Sequence, residues 1–124
     1  MEIMRFEGTD DTPGILLDAA AGVFEISGRS MPEDATKFYE PVLDWIEEYK
    51  ENPLGETVFI FKMKYFNTAS SKVLLDILLI LEELAETGAK VMVKWHYPSN
   101  DEDMKEAGEE YAEMIEVPFE HISY

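Results

Sequence analysis

The chain has 124 residues and a formal net charge of −17, from 27 acidic and 10 basic residues. A surface this acidic repels nucleic acid and anionic lipid, so neither is expected as a partner. The chain has no cysteine, which excludes disulfides, thiolate catalysis and thiolate zinc sites and fits a cytoplasmic protein. No signal peptide is expected, and the apolar run over residues 73–81 is too short to span a membrane.

The first third of the chain has the pattern of short strands followed by a helix. Residues 1–7 are predicted to form a strand. Residues 15–17 and 23–27 flank a glycine-containing segment, which predicts a hairpin. The loop at residues 28–34 then leads into the first helix.

The first helix is predicted from apolar residues at helical spacing. These are Phe38, Val42, Trp45, Ile46 and Tyr49. Pro41 interrupts this pattern, because proline inside a helix removes a hydrogen bond. Either the helix bends at Pro41, or Pro41 occupies the first turn of a shorter helix, and we favour the bend.

The middle of the chain predicts a strand followed directly by a long apolar helix. The strand, residues 57–64, is apolar on both faces, as expected for a central strand that is covered on both sides. The helix, from about residue 70 to 87, is apolar on several faces. Such a helix is either deeply buried or shared between the core and a partner. Within it, Lys72 and Asp76 have the spacing of an intrahelical ion pair.

The remaining pattern is a strand over residues 90–97, an acid-rich helix start at residues 100–103, and a short strand over residues 119–123. Alternating strands and helices predict right-handed crossovers and parallel neighbouring strands. The predicted fold is therefore α/β: a single domain over residues 1–124, with a mixed, mostly parallel sheet, an N-terminal hairpin and about three helices.

The turn between the middle strand and its helix, residues 67–71, reads Asn-Thr-Ala-Ser-Ser. A helix N-terminus has unpaired N–H groups and a partial positive charge. One hydroxyl or amide side chain suffices as a cap, so the turn has more such residues than capping needs. The residues alone leave two interpretations of this turn open. It is either a simple helix cap, or a site for an anion or a phosphorylated hydroxyl.

No catalytic constellation, cofactor motif or metal site is expected from the sequence. There is no glycine-rich phosphate loop and no serine motif of a nucleophile elbow. The only histidines, His96 and His121, lack ligand-like spacing to acidic residues. His96 is interpreted as a partly buried structural histidine, and the many glutamates as helical surface.

Four stretches together carry a family resemblance: SMPED at residues 30–34, YFNTASSK at 65–72, VKWHY at 93–97 and EAGEEY at 106–111. The chain resembles the SiaC-like regulatory phosphoproteins of bacteria over nearly its whole length. That family is similar in fold to the anti-sigma-factor antagonists of the STAS type, which carry a phosphorylatable residue at a strand-to-helix turn.

The resemblance implies a phosphorylation site at Thr68. It also implies a cognate Ser/Thr kinase of the histidine-kinase-like ATPase class, a phosphatase of the PP2C type, and an effector that the unmodified protein activates. In some systems that effector is a diguanylate cyclase. The STAS motif has Asp and Gly where Asn67 and Ala69 stand here, which favours the SiaC-like branch.

The resulting hypothesis is a non-catalytic partner-switch protein. Its partner surface is predicted to include the turn and the loop after the hairpin, namely Asn67, Thr68, Ser70, Ser71, Met31 and Pro32. The alternative is a small α/β anion-binding or ligand-binding domain, or an enzyme, that uses the helix N-terminus at residues 67–71.

Overall fold

The structure, a computed structural model, describes all 124 residues. The strands are β1 (Met4–Phe6), β2 (Gly14–Asp18), β3 (Val23–Ser30), β4 (Glu56–Phe66), β5 (Lys90–Tyr97) and β6 (Phe119–Ser123). The helices are α1 (Ala35–Glu51), α2 (Thr68–Glu86) and α3 (Glu102–Met114). The predicted α/β fold with an N-terminal hairpin and three helices is confirmed.

All strands form one six-stranded sheet, in which their spatial order equals their order along the chain. β2 and β3 form the predicted antiparallel hairpin, and β1 pairs antiparallel with β2. β3, β4, β5 and β6 pair parallel. The predicted mixed and mostly parallel sheet is therefore confirmed.

The three helices cover the same face of the sheet. Each crossover moves one strand in the same direction, so right-handed connections place every helix on one side. On that side Phe24 of β3 contacts Trp45 of α1, and Trp95 of β5 contacts Tyr111 of α3. The prediction that the central strand is covered on both sides is wrong, because no helix lies against the opposite face.

Helix α2 lies between α1 and α3 and supplies much of the core. Its buried apolar side chains are Val73, Leu74, Ile77, Leu78, Ile80, Leu81 and Leu84. Leu75 is half-buried, and Leu79 is 39% exposed. The excess of apolar residues in this helix thus gives both a core-facing side and a partly exposed apolar stripe.

Pro41 lies inside α1, on its exposed side, so the alternative of a shorter helix with Pro41 in its first turn is wrong. On that side water can satisfy the carbonyl that lacks its N–H partner. The ion pair expected between Lys72 and Asp76 is not formed, since the ion pairs of the structure join Lys50 to Glu47 and Glu83. None of the helices is long and apolar enough to cross a bilayer.

Candidate functional site

The ends of β3 and β4 bring two loops together at one edge of the sheet. Ser30, the last residue of β3, is in register with Phe66, the last residue of β4. Just beyond them, the Asn67 N–H donates a 3.1 Å hydrogen bond to the Ser30 carbonyl. The loop that starts at Met31 therefore lies beside the start of α2, as the predicted partner surface requires.

Asn67 is the residue that caps α2. Its side-chain oxygen accepts a 2.9 Å hydrogen bond from the Ser70 N–H, and its carbonyl accepts one from the Ser71 N–H. Thr68 is the first residue of the helix and is exposed. No hydrogen bond of the structure involves its hydroxyl, so the need for a cap does not explain Thr68.

A chain of buried hydroxyls lies directly beneath the turn. The Ser30 hydroxyl donates to Ser70 at 2.8 Å and lies 2.6 Å from the hydroxyl of Tyr39, on α1. Since Ser30 has one proton to donate, Tyr39 donates to Ser30. Burial raises the pKa of Tyr39 to about 12, so this phenol stays protonated and keeps donating at neutral pH.

The other side of the same turn is held by α3. The Tyr111 hydroxyl donates a 2.8 Å hydrogen bond to the Ser71 carbonyl, and burial raises the pKa of Tyr111 to about 12. The Ser71 hydroxyl itself donates to the Thr68 carbonyl at 2.9 Å. The first turn of α2 is therefore fixed from both α1 and α3, and Thr68 is presented on a rigid support.

Two leucines lie on the side of α2 that carries Thr68, with exposed Lys72 between them and Thr68. Leu75 and Leu79 follow Thr68 by seven and eleven residues, which places them on the same side of the helix. Across from them, a hollow of about 250 Å³ is lined by residues that include Phe66 and Met114, and Met114 is 59% exposed. The surface next to the turn therefore includes two exposed apolar side chains, Leu79 and Met114, that are available to a partner.

On the α1 side of the turn the surface is acidic. A second hollow there is lined by Glu33, Asp34, Ala35, Thr36, Lys37 and Ala69. Two carboxylates against one ammonium group disfavour a free anion at this helix start. The structure also contains no group of three or more His, Asp or Glu side chains placed to hold a metal ion.

The predicted site residues differ in exposure. Thr68 is exposed, Asn67, Ser71 and Met31 are half-buried, Pro32 is buried, and Ser70 is 0% exposed. A fully buried hydroxyl cannot touch a docked partner, so Ser70 acts from beneath as support. Sequence reasoning missed Ser30, Tyr39 and Tyr111, because their contacts depend on the β3–β4 register and on how α1 and α3 pack.

The chain is similar in sequence to known proteins. The model of the SiaC family regulatory phosphoproteins matches residues 6–124. An uncharacterised protein of Pseudomonas aeruginosa (strain UCBPP-PA14) is 34% identical over 119 residues, which are 96% of this chain and 94% of that protein.

Solved structures are also similar. SiaC of P. aeruginosa matches with a TM-score of 0.91 and 31% identity over 100% of both chains. The structure of the P. aeruginosa diguanylate cyclase SiaD in complex with its activator SiaC gives a match with a TM-score of 0.92 and 32% identity, covering 98% of this chain and 99% of that chain. The predicted resemblance is confirmed, and the chain belongs to the SiaC family of regulatory phosphoproteins.

Proposed function

We propose that this chain is a non-catalytic partner-switch protein whose unphosphorylated form binds and activates an effector, and that phosphorylation of Thr68 releases the effector. One observation carries the assignment of Thr68. Asn67 supplies the helix cap, so the neighbouring exposed hydroxyl has no structural task and is accessible to a kinase.

The proposed effector is a diguanylate cyclase. The support is that the P. aeruginosa relative, which matches this chain over nearly its full length, is the activator of the diguanylate cyclase SiaD. The proposed modifying enzymes are a Ser/Thr kinase of the histidine-kinase-like ATPase class and a PP2C-type phosphatase. Because that kinase consumes ATP, the switch would operate in the cytoplasm.

The proposed contact surface begins at the turn and continues along α2. It begins with Asn67, Thr68 and Ser71, with Met31 beside them. Half-buried Leu75 and exposed Leu79 extend it along the helix. Ser70 and Pro32 support this surface from inside. An effector docked here buries the Thr68 hydroxyl, so any group added to that hydroxyl lies within the contact.

A phosphate at Thr68 has opposite consequences for the fold and for the complex. It adds roughly −1.5 to −2 charges and three acceptor oxygens. Within the domain, the helix N-terminus favours an anion by roughly 0.3–1 kcal/mol, which opposes the repulsion from the nearby Glu33 and Asp34, so we expect the fold to tolerate the modification. In the complex, the phosphate must lose its hydration and adds bulk at the head of the contact surface, which weakens binding.

The test combines mass and affinity measurements. The chain is treated with its kinase and ATP, and its intact mass is expected to rise by one phosphate. Thr68→Ala should abolish this rise. Thr36→Ala is the matched control, because Thr36 is an exposed threonine in the first turn of α1, and it should leave the rise unchanged.

The second measurement is a titration of a SiaD-type diguanylate cyclase, with production of cyclic di-GMP as the readout. Unmodified protein and Thr68→Ala should bind and activate, and phosphorylated protein should do neither, while thermal unfolding stays similar. Equal affinity of the modified and unmodified forms would refute the switch. A fold lost on phosphorylation would instead make Thr68 a structural residue.

A further inference from the structure

The face of the sheet opposite the helices, which we call the open face, is uncovered. Parallel strands such as β3 to β6 occur almost always in sheets that are covered on both faces. Six half-buried apolar side chains lie on the open face, and none belongs to the core or packs against it. They are Leu16, Val23, Val58, Ile60, Met92 and Ile122.

The charges of the open face are nearly balanced, unlike those of the chain. Apart from Lys64 at the β-bulge, strand alternation and register assign five basic and four acidic side chains to this face. They are Arg5, Arg29, Lys62, Lys90, Lys94, Asp18, Glu25, Glu56 and Glu120. The net charge of −17 therefore comes from the helical side and the loops, and two copies would repel each other there.

The three inner residues of the central row of the open face are self-complementary. Ile60 of β4 has Glu25 of β3 on one side and Lys94 of β5 on the other. One row towards the start of the strands, Val58 lies between Val23 and Met92. A twofold rotation about an axis along β4 exchanges the β3 side and the β5 side in the facing copy. The first row then places an acidic side chain against a basic one, and the second row places apolar side chains against each other.

We propose that a second copy of this chain packs on the open face, sheet against sheet, about a twofold axis parallel to β4. Ile60 then faces Ile60 of the other copy, and each Glu25 faces the Lys94 of the other copy. Val58 meets its own counterpart, while Val23 meets Met92. In the next row Ser27 faces His96, and the two Lys62 residues lie at the axis, each with its ammonium group over the Tyr124 ring of its own chain, 4.7 Å from the ring centroid.

The size of the face fits a reversible dimer. About an axis along β4 the five strands β2 to β6 overlap, because β1 has no counterpart on the other side of β4. At a spacing of ~4.8 Å they span about 24 Å, and about 20 Å of strand length gives roughly 480 Å² on each copy. The pair then buries roughly 1,000 Å², the size of a weak, reversible interface. Aligned packing of two such sheets is a common arrangement in β-sandwiches.

The first test measures self-association by sedimentation velocity over a concentration series. The wild-type chain is expected to form a dimer reversibly. Glu25→Lys and Lys94→Glu should each weaken the dimer by at least about tenfold, because like charges then face each other. The double variant Glu25→Lys/Lys94→Glu should restore it.

These variants separate specific pairing from general repulsion. The two single changes shift the net charge of −17 in opposite directions, so general repulsion predicts opposite effects, whereas facing pairs predict that both weaken the dimer. Lys37→Glu changes the net charge as Lys94→Glu does, at an exposed position of α1, and should leave the dimer much less affected.

A second test does not depend on charge. The chain has no cysteine, so a single introduced cysteine is the only thiol that a cross-linker can react with. Facing sheets lie about 10 Å apart, and a short bismaleimide should therefore cross-link Ile60→Cys into dimers. Leu79→Cys, on the outer side of α2, should remain uncross-linked.

Three outcomes would overturn the proposal. The first is a monomer at every concentration, which would leave the open face to a different protein. The second is a dimer that the double variant does not restore. The third is cross-linking through Leu79→Cys in place of Ile60→Cys, which would put the contact on the helical side.

Discussion

The hydroxyl of Tyr111, on α3, donates a 2.8 Å hydrogen bond to the main-chain carbonyl of Ser71, in the first turn of α2. These residues are 40 positions apart in the chain. Their contact fixes the turn that presents Thr68 against a helix formed much later in the sequence. The position of α3 is therefore coupled to the geometry of the proposed switch.

Tyr111→Phe should loosen this turn while leaving the fold intact. Loss of one partly buried hydrogen bond costs about 0.5–1.5 kcal/mol of unfolding free energy, and affinity for the effector should fall as well. Urea unfolding and calorimetric titration measure the two effects. Tyr65→Phe is the control, because Tyr65 is 45% exposed and its hydroxyl forms no hydrogen bond within the chain. Identical results for the two variants would show that the contact is not energetically important.

Asn67→Ala should lower the unfolding free energy by about 1 kcal/mol, the usual cost of a lost helix cap. Asn67→Asp should keep the cap and add roughly 0.3–1 kcal/mol through the helix dipole. Asp34→Ala removes the corresponding cap of α1 and gives the scale for the comparison. If Asn67→Asp is as unstable as Asn67→Ala, the amide has a second role that a carboxylate cannot replace.

The turn shows how far sequence alone leads. Cap chemistry and a strand-to-helix junction predicted a helix start near residue 70, and α2 begins two residues earlier, at Thr68. Asn67, Thr68 and Ser70 are all acceptable caps, so composition could not choose among them. The choice of Asn67 depends on tertiary contacts, because the Ser70 hydroxyl is already engaged by Ser30.

The open face shows a second limit. Val58 and Ile60 are apolar and alternate with buried Phe59 and Phe61, and this pattern predicted a strand with cover on both sides. Whether cover exists depends on the direction of the crossovers, which periodicity does not encode. The apolar pattern correctly predicted a central strand, and its outer half is explained if a second copy provides the cover.

Gly108→Ala should destabilise the domain, although Ala is the better helix former. A Cβ at position 108 would lie 2.4 Å from Cδ1 of Trp95. The indole is 0% exposed and donates to the Met104 carbonyl, so it cannot move aside. Overpacking of this kind costs typically 1–3 kcal/mol, more than the 0.5–1 kcal/mol gained from helix propensity.

The control for Gly108→Ala is Gly55→Ala, since nothing lies within 4 Å of a Cβ there and its φ is not positive. Thermal unfolding of both variants measures the difference. A melting temperature of Gly108→Ala at or above that of Gly55→Ala would mean that α3 shifts away from Trp95 without cost.

The last prediction concerns pH and His96, which lies half-buried on the open face. Burial lowers the pKa of His96, Lys62 and Lys94 lower it further, and Glu25 and Glu120 oppose them. The imidazole therefore binds a proton less readily in the folded chain than in the unfolded chain, where its pKa is about 6.5. Its contribution to stability is fully present above that value. It is lost as the pH falls through the lower pKa of the folded state.

Unfolding free energies measured in denaturant at roughly pH 7.5 and roughly pH 5.5 test this, since the two conditions bracket the ordinary histidine pKa. The wild-type chain should lose more stability between them than His96→Gln does, because glutamine does not titrate. His121→Gln, at an exposed position of β6, should behave as the wild type. The measurement is made at low protein concentration, so that self-association through the same face does not contribute. Equal losses for the wild type and His96→Gln would mean that His96 is as readily protonated in the folded chain as in water.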